Sequence, residues 1–298
     1  MDHPLWKEGC AAAAPRYERG MTHVIPVALT IAGSDCSAGA GIQADLKTFQ
    51  YFHVHGLTAI TCVVSETANI VRAVHPVPAD IVCDQISLML DAFPIAAVKT
   101  GMLFSAGLIR AVAEILQNHR GFQLVVDPVM IASTGTPLLE PDAMAAYREW
   151  LLPMARVITP NLPEGEALLG APITDEASLE SAARRLSEKF GTAVLLKGGH
   201  LPGPDCVDLL VENGEVYRFT EERIPVDGSH GTGCTLSAAI TAALAHGESL
   251  PWAVEKAKKF LGQTLRQSYA FDSPAGGTHH ALNQGTFPEK NALEQNEA

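Results

Sequence analysis

Short apolar runs that stop at a glycine or a proline and give way to helical spacing, several times over, constrain this sequence more than any other feature. Residues 24–32 are apolar and rich in β-branched side chains and end at Gly33; Ile42, Leu46 and Phe49 then recur at helical intervals within 39–52. The same pattern predicts strands at 57–64, 96–99, 122–126, 156–159 and 193–197, and helices at 80–92, 105–118, 176–190 and 251–269. Segments 205–211 and 215–220, separated by Glu212-Asn-Gly214, read as a hairpin with an Asn-Gly turn. Strands alternating with helices imply an α/β fold with a mostly parallel sheet covered on both faces. Ligands bind such sheets beyond the carboxyl ends of the strands, where Gly33, Asp127, Asn161 and Lys197 fall.

The loop most suited to chemistry is Asp227-Gly-Ser-His-Gly-Thr-Gly-Cys-Thr-Leu-Ser-Ala-Ala-Ile240. Leu236, Ala239, Ile240 and Ala243 recur at helical spacing, so the loop opens a buried helix. The first N–H groups of a helix have no partner and carry a partial positive charge, which makes its start a place for an anion. Gly231 and Gly233, with Thr232 between them, would let phosphate oxygens approach those groups closely. In the same field the thiol of Cys234 is expected below its usual pKa of about 8.5. A plain glycine loop before a core helix, with an inert cysteine, fits these residues equally well.

Other strand ends carry the same ambiguity. Asn161-Leu-Pro-Glu164 would hold Mg²⁺ through water beside phosphates, or would simply cap a helix. Asp127-Pro128 is a second carboxylate so placed, and Lys197-Gly-Gly-His200 would bring an ammonium to phosphate or merely leave its strand. Gly39-Ala-Gly-Ile-Gln-Ala44 matches GxGxxA with Glu66 as its acidic partner, but six residues separate it from the preceding strand, against a dinucleotide site. No GxxxxGK[ST] occurs. Phosphoryl transfer is the reaction that uses all these parts together: an anion cradle, Mg²⁺ support and a base.

The net charge of −12 over 298 residues argues against nucleic acid or an anionic membrane as partner. Six cysteines without CxxC or zinc spacing fit a reduced, cytoplasmic protein, and no apolar run is long enough to span a bilayer. Glu8 and Gly9 interrupt any signal-peptide core before Cys10-Ala-Ala-Ala-Ala14. The expected organisation is a disordered extension at 1–22, with Met21 as an alternative start, one domain at 23–285 and a flexible tail at 286–298. The pair His279-His280 is expected in a tail or lid.

Ala28-Leu-Thr-Ile-Ala-Gly-Ser-Asp35, Gly39-Ala-Gly-Ile-Gln-Ala-Asp-Leu-Lys-Thr-Phe49, Lys99-Thr-Gly-Met-Leu103, Asp127-Pro-Val-Met130, Thr159-Pro-Asn-Leu-Pro-Glu164, Lys197-Gly-Gly-His200 and His230-Gly-Thr-Gly-Cys234 occur in this order. Together they resemble the bacterial hydroxymethylpyrimidine/phosphomethylpyrimidine kinases of thiamine biosynthesis, members of the ribokinase-like superfamily. The resemblance implies a three-layer α/β/α sandwich, ATP as co-substrate, Mg²⁺, an aminopyrimidine alcohol and its phosphate as substrates, and a homodimer. It implies that Gly231, Thr232 and Gly233 form the anion hole and Cys234 the base, with Asn161, Lys197, Gly198 and Gly199 on the ATP phosphates. By the same resemblance Asp127 and Glu164 support Mg²⁺, while Gly33, Ala40, Met102 and Val129 line the pyrimidine pocket. Asp45 would reach the ring through water, and adenine would lie against 198–226 and the two helices after Gly231.

Two departures stand out: Ser65-Glu-Thr-Ala68 where this family usually reads Ala-Gln-Asn-Thr, and Gly276-Gly-Thr-His-His280 in place of a Gly-His-Gly-Pro ending. The family's glutamine both accepts and donates, whereas an ionised Glu66 only accepts. A pyridoxal/pyridoxine kinase on the same scaffold is therefore the first rival. An NAD(P)-binding Rossmann oxidoreductase and a catalytically silent pyrimidine-binding protein are the others.

Overall fold

The computed structural model describes residues 25–130, 139–140, 142–225, 230–274 and 276–285. The expected extension and tail, and Asp227–Ser229 of the glycine loop, lie outside the described residues. Strand β1 (Val27–Asp35) leads into α1 (Gly41–Tyr51), then β2 (His55–Thr67) and β3 (Ile70–Pro76), which form an antiparallel ribbon. After α2 (Ala79–Ala92) come β4 (Ile95–Thr100), α3 (Ala106–Asn118) and β5 (Gln123–Val126). Helix α4 (Ala143–Ala146) continues through a wider turn at Tyr147–Leu151 and a tight one at Leu152–Met154. Strand β6 (Val157–Ile158), α5 (Leu162–Leu169), α6 (Glu176–Phe190) and β7 (Ala193–Lys197) follow, then the hairpin β8 (Asp205–Glu212) and β9 (Glu215–Glu222). The chain closes through α7 (Thr232–Ala245), α8 (Leu250–Arg266) and a two-stranded ribbon of β10 (Tyr269–Asp272) and β11 (Thr278–Ala281), which carries His279 and His280.

The sheet runs β3-β2-β1-β4-β5-β6-β7-β8-β9, parallel from β2 to β7 and antiparallel at both edges. Side chains alternate across a strand, so the two faces collect different residues. Leu29, Ile31, Val98, Leu124, Val126 and Ile158 pack with residues of α2 to α6 on one face. Val125, Val157, Leu195 and Leu210 meet α7 and α8 on the other, where Ala28 and Ala97 face Phe49 of α1 and Ala238 and Ala242 of α7. Burying each large apolar side chain contributes about 1.5–3 kcal/mol. Helix α7 is buried all round from Thr235 to Ala245, and its alanines let it lie close against β1 and β4. That close seat fixes the position of its first turn.

Most expected elements occur, with instructive differences. The helix expected over 251–269 stops at Arg266, because Tyr269 enters β10; β6 keeps only two residues of the strand expected at 156–159. Strand β3 carries no expectation, since its residues are largely exposed on both faces and show no burial pattern to read.

Beneath the carboxyl ends of β1 and β4 lies a fully buried ion pair: Lys99 Nζ donates to both oxygens of Asp45 at 2.6 and 2.8 Å, and Thr30 Oγ1 donates to Asp45 at 2.6 Å. Burial disfavours the Lys99 ammonium, yet Asp45 beside it keeps its pKa above the ordinary value. Removing one partner strands the other without water. Lys99→Met should therefore lower the unfolding free energy by about 3–5 kcal/mol in urea titration, with Lys99→Met/Asp45→Asn recovering much of it. A loss below about 1 kcal/mol would show the pair to be solvated.

Candidate active site

In an open sheet the chain leaves the first strand to one side and later returns to the other, which parts the loops at their carboxyl ends. Here that parting falls between β1, flanked by β2, and β4. A cavity of about 330 Å³ opens there, lined by residues from the ends of β1, β2, β4, β5, β6 and β7 and from the starts of α1 and α7.

Its inner wall is apolar. Val64, Met102 and Val129 stand around buried Cys62, whose thiol burial pushes up to about 11. Gly33 lies on that sulfur: a Cβ there would meet Cys62 Sγ at 2.7 Å. The slot between these groups and Ala40 suits a flat ring.

One edge of the slot is polar. Asp35, Glu66 and His230 bring ligand-type atoms within 4.8 Å of one another. Burial works against Asp35 ionising, but bonds from His230, Ser37 and Ala40 hold it near 2. The Glu66 carboxyl is raised by burial and by Asp35, partly offset by His230. A register shift in the β2–β3 pairing falls between Ser65 and Glu66, a local bend of the kind that aims side chains beside sites.

The far end is the glycine loop. Gly231 has a left-handed backbone (φ 83°) and is the N-cap of α7, with no side-chain cap on the first turn. Below it, Asp127 Oδ1 accepts from Lys197 Nζ at 3.3 Å and Thr159 Oγ1 at 3.0 Å, while its Oδ2 accepts from Ser237 Oγ of α7 at 3.1 Å. Burial opposes the Asp127 charge, but Lys197, Lys99 and Thr159 hold its pKa below the ordinary value. Gly233 sits directly on this pair, since a Cβ there would be 3.4 Å from Lys197 Nζ and 3.6 Å from Asp127 Oδ2.

Asn161 and Glu164 cap a helix, one of the two roles the sequence left open, and do so at the cavity. They form a capping box at the start of α5, Asn161 Oδ1 accepting from Glu164 N at 2.9 Å and Glu164 Oε2 from Asn161 N at 2.8 Å, and they also line the cavity. Burial, with Asp127 adding to it and Lys197 opposing, raises Glu164 to about 7.

Most of the expected site residues meet here: Gly33, Ala40, Glu66, Met102, Val129, Asp127, Asn161, Glu164, Lys197 and 231–234 all line one cavity. Three do not. Asp45 lies under the wall in its pair with Lys99. Gly198 turns into the β7–β8 packing, its N–H on Asp208 Oδ1 at 2.9 Å and a Cβ there only 2.1 Å from the Val207 carbonyl. Gly199 is drawn the other way, its carbonyl accepting from Arg223 at 2.7 Å. Sequence reasoning assigned no role to Asp35 or His230, which both line the cavity; an aspartate at a strand end before Cys-Ser-Ala-Gly was the available signal. The Gly39 fingerprint is spent internally, because the Gly39 and Ala40 N–H groups donate to Asp35 Oδ2 at 3.1 and 2.8 Å where a pyrophosphate would have to sit.

The expectation for Cys234 is corrected. Its thiol is pushed up to about 11: burial costs the thiolate more than Lys99 and the Gly41 N–H return, and Asp45 and Asp127 add to the rise.

The fold and this cavity define a class. The structure aligns with the pyridoxal kinase of Staphylococcus aureus in complex with ADP at a TM-score of 0.80 and 34% identity, covering 89% of this chain and 96% of that one. It aligns with the phosphomethylpyrimidine kinase of Clostridium difficile 630 at 0.71 and 38%, covering 80% and 98%. The chain is thus a phosphotransferase of ribokinase-like fold. The phosphomethylpyrimidine kinase model matches residues 35–279, and the chain belongs to that family. It is 43% identical to the hydroxymethylpyrimidine/phosphomethylpyrimidine kinase of Haemophilus influenzae over 85% of this chain and 95% of that protein. It is 42% identical to the thiamine biosynthesis bifunctional protein ThiED of Geobacter sulfurreducens over 85% of this chain, spanning 52% of that longer protein. No described helix is long and apolar enough to cross a membrane.

A thiol at about 11 is ionised to well under roughly one part in a thousand at pH 7.5. The iodoacetamide rate at Cys234, followed by peptide mass spectrometry on the ligand-free protein, should rise tenfold per pH unit without levelling below about pH 10. A plateau between pH 7 and 8 would show that the helix start outweighs burial.

Proposed function

We propose that this protein transfers the γ-phosphoryl group of ATP to the hydroxymethyl oxygen of 4-amino-5-hydroxymethyl-2-methylpyrimidine, and then phosphorylates the monophosphate to the diphosphate. The observation that carries this reading is one cavity in which a ring-sized apolar slot ends at a helix-start glycine loop with Cys234 beside it. Gly33, Ala40, Met102 and Val129 hold the ring, and Glu66 accepts from its amine edge. The N–H groups of Gly231, Thr232 and Gly233 take the charge of the transferred group, with Asn161 and Lys197 toward the nucleotide phosphates. Adenine lies against 198–226, where Arg223 binds the carbonyls of Gly199, Leu201 and Gly203 and so shapes the loop, and against α7 and α8.

Mg²⁺ fits through water rather than directly. The Asp127 and Glu164 oxygens already accept from Lys197, Thr159, Ser237 and Asn161, which leaves acceptor positions for the ion's waters but no bare ligand set. Bound there, it would neutralise charge on the phosphates.

In the first transfer the substrate hydroxyl gives its proton to Cys234 as the new O–P bond forms and ADP leaves. The transition state is loose, so positioning outweighs base strength and a scarce thiolate suffices. The second transfer needs no such base, because a phosphate monoester is already ionised near neutral pH.

The same reading takes 23–285 as one kinase domain between the 1–22 extension and the 286–298 tail. The free thiols Cys36, Cys62, Cys83, Cys206 and Cys234 support a cytoplasmic setting. Exposed Val63 and Ile70 on the β2–β3 ribbon support pairing of two copies.

Pyridoxal phosphorylation is the second reading, favoured by the 0.80 alignment with a pyridoxal kinase. An ATP-consumption panel should give a higher kcat/KM for the pyrimidine alcohol and its monophosphate than for pyridoxal; the reverse order would overturn the assignment. Glu66→Gln, run in the same panel, should change kcat/KM for the pyrimidine by tenfold or more, since the edge it meets gains a donor. Cys234→Ala should lower kcat on the alcohol by about 10²–10⁴ and on the monophosphate much less. Equal losses on both would remove Cys234 from the base role.

A further inference from the structure

Two loops 195 residues apart in the chain meet over the cavity, and they touch as backbones. A Cβ on Gly231 would lie 1.9 Å from the Gly39 carbonyl oxygen, and one on Gly39 would lie 2.7 Å from His230 Cδ2. The Gly41 N–H, at the start of α1, bonds the thiol of Cys234. Glycine on both sides permits this approach but holds nothing in place, because glycine is the residue freest to move away.

One carboxylate ties the two loops together through side chains. Asp35 builds the ring-side loop by accepting from Ser37 N at 2.7 Å, Ser37 Oγ at 3.0 Å, Gly39 N at 3.1 Å and Ala40 N at 2.8 Å. The same carboxylate accepts from His230 Nε2 at 2.8 Å, and the two side chains are only 2% and 12% exposed. His230 immediately precedes Gly231. The neighbouring residue, Cys36, bonds the Glu66 backbone in both directions, its thiol donating to the carbonyl at 3.2 Å and accepting from the N–H at 3.3 Å. The ring edge, the ring-side loop and the anion loop are therefore joined in series through residues 35, 36 and 230.

From this we infer that the Asp35–His230 pair is a positioning latch, which makes occupancy of the ring slot and occupancy of the anion loop favour one another. A ligand that orders the ring-side loop prepays the ordering of Gly231–Gly233 for phosphate, and linkage makes the effect equal in the other direction. The inference rests on the kinase reading above. Asp35 and Glu66 are the titratable groups that face the imidazole; burial opposes its charge, while Asp35 and Glu66 favour it.

Titration calorimetry on the full chain tests the latch, with the pyrimidine alcohol measured alone and in saturating MgADP. The wild type should bind the pyrimidine at least about fivefold more tightly with ADP present, within the usual range of coupling between sites. His230→Ala should bring that ratio to about one. His230→Gln, whose amide still donates to Asp35, should restore part of it, and Asp35→Asn should lower it with the loop's acceptor oxygen retained. A merely structural role would weaken both ligands and leave the ratio alone. A wild-type ratio of one, or an unchanged ratio in both His230→Ala and Asp35→Asn, overturns the latch while leaving the kinase reading intact. Failure of either ligand to bind the wild type at all overturns both.

Discussion

Negative charge is the problem this site has to solve before any phosphate arrives. Asp45, Asp127 and Glu164 are buried in or beneath the cavity, and an unmatched buried carboxylate would destabilise the region or repel an anionic ligand. Two are answered by a neighbouring ammonium: Lys99 serves Asp45, and Lys197 with Thr159 and Ser237 serves Asp127. Glu164, bonded at the helix start of α5, keeps a pKa raised to about 7 and so sheds part of its charge instead. These answers also place the machinery, since the Ser237 bond draws the first turn of α7 onto the end of β5, and Lys197 comes to rest under Gly233. Truncating one ion strands its partner, so the charges stand or fall as a set.

The glycines follow from the same crowding. Gly33 lies on a sulfur, Gly233 on an ammonium and a carboxylate, and Gly231 on another backbone. At Gly33 and Gly231 the elements beneath have been drawn so close that nothing larger fits, while at Gly233 a Cβ would just touch the ion pair.

Much of this could be read from the sequence, for identifiable reasons. Helix α6 runs over the expected 176–190 because both ends are signed: Asp175 and Ser178 form a capping box, and Gly191 takes the left-handed conformation that ends it. The β8–β9 turn was legible because Asn213 and Gly214 both adopt positive φ. Where burial set no pattern, as on the edge strand β3, nothing could be read. The residues gathered in the cavity were legible as strand-end polar groups, but their state was not. Spacing places Cys234 at a helix start, yet only the packing of α7 against β1 and β4 reveals that burial governs its thiol. Asp35 escaped for a related reason, because its role depends on His230, 195 residues away.

The two ends of the cavity are built from different material. The glycine-loop end rests on central strands and a helix buried all round, where a change disturbs the core. The Glu66 edge hangs on the tip of the β2–β3 ribbon, at the margin of the sheet, where Ser65, Thr67 and most of β3 are exposed. A lineage built this way is free to try new heterocycles at the periphery while inheriting its transfer chemistry unaltered, and related scaffolds acting on different rings are the expected outcome.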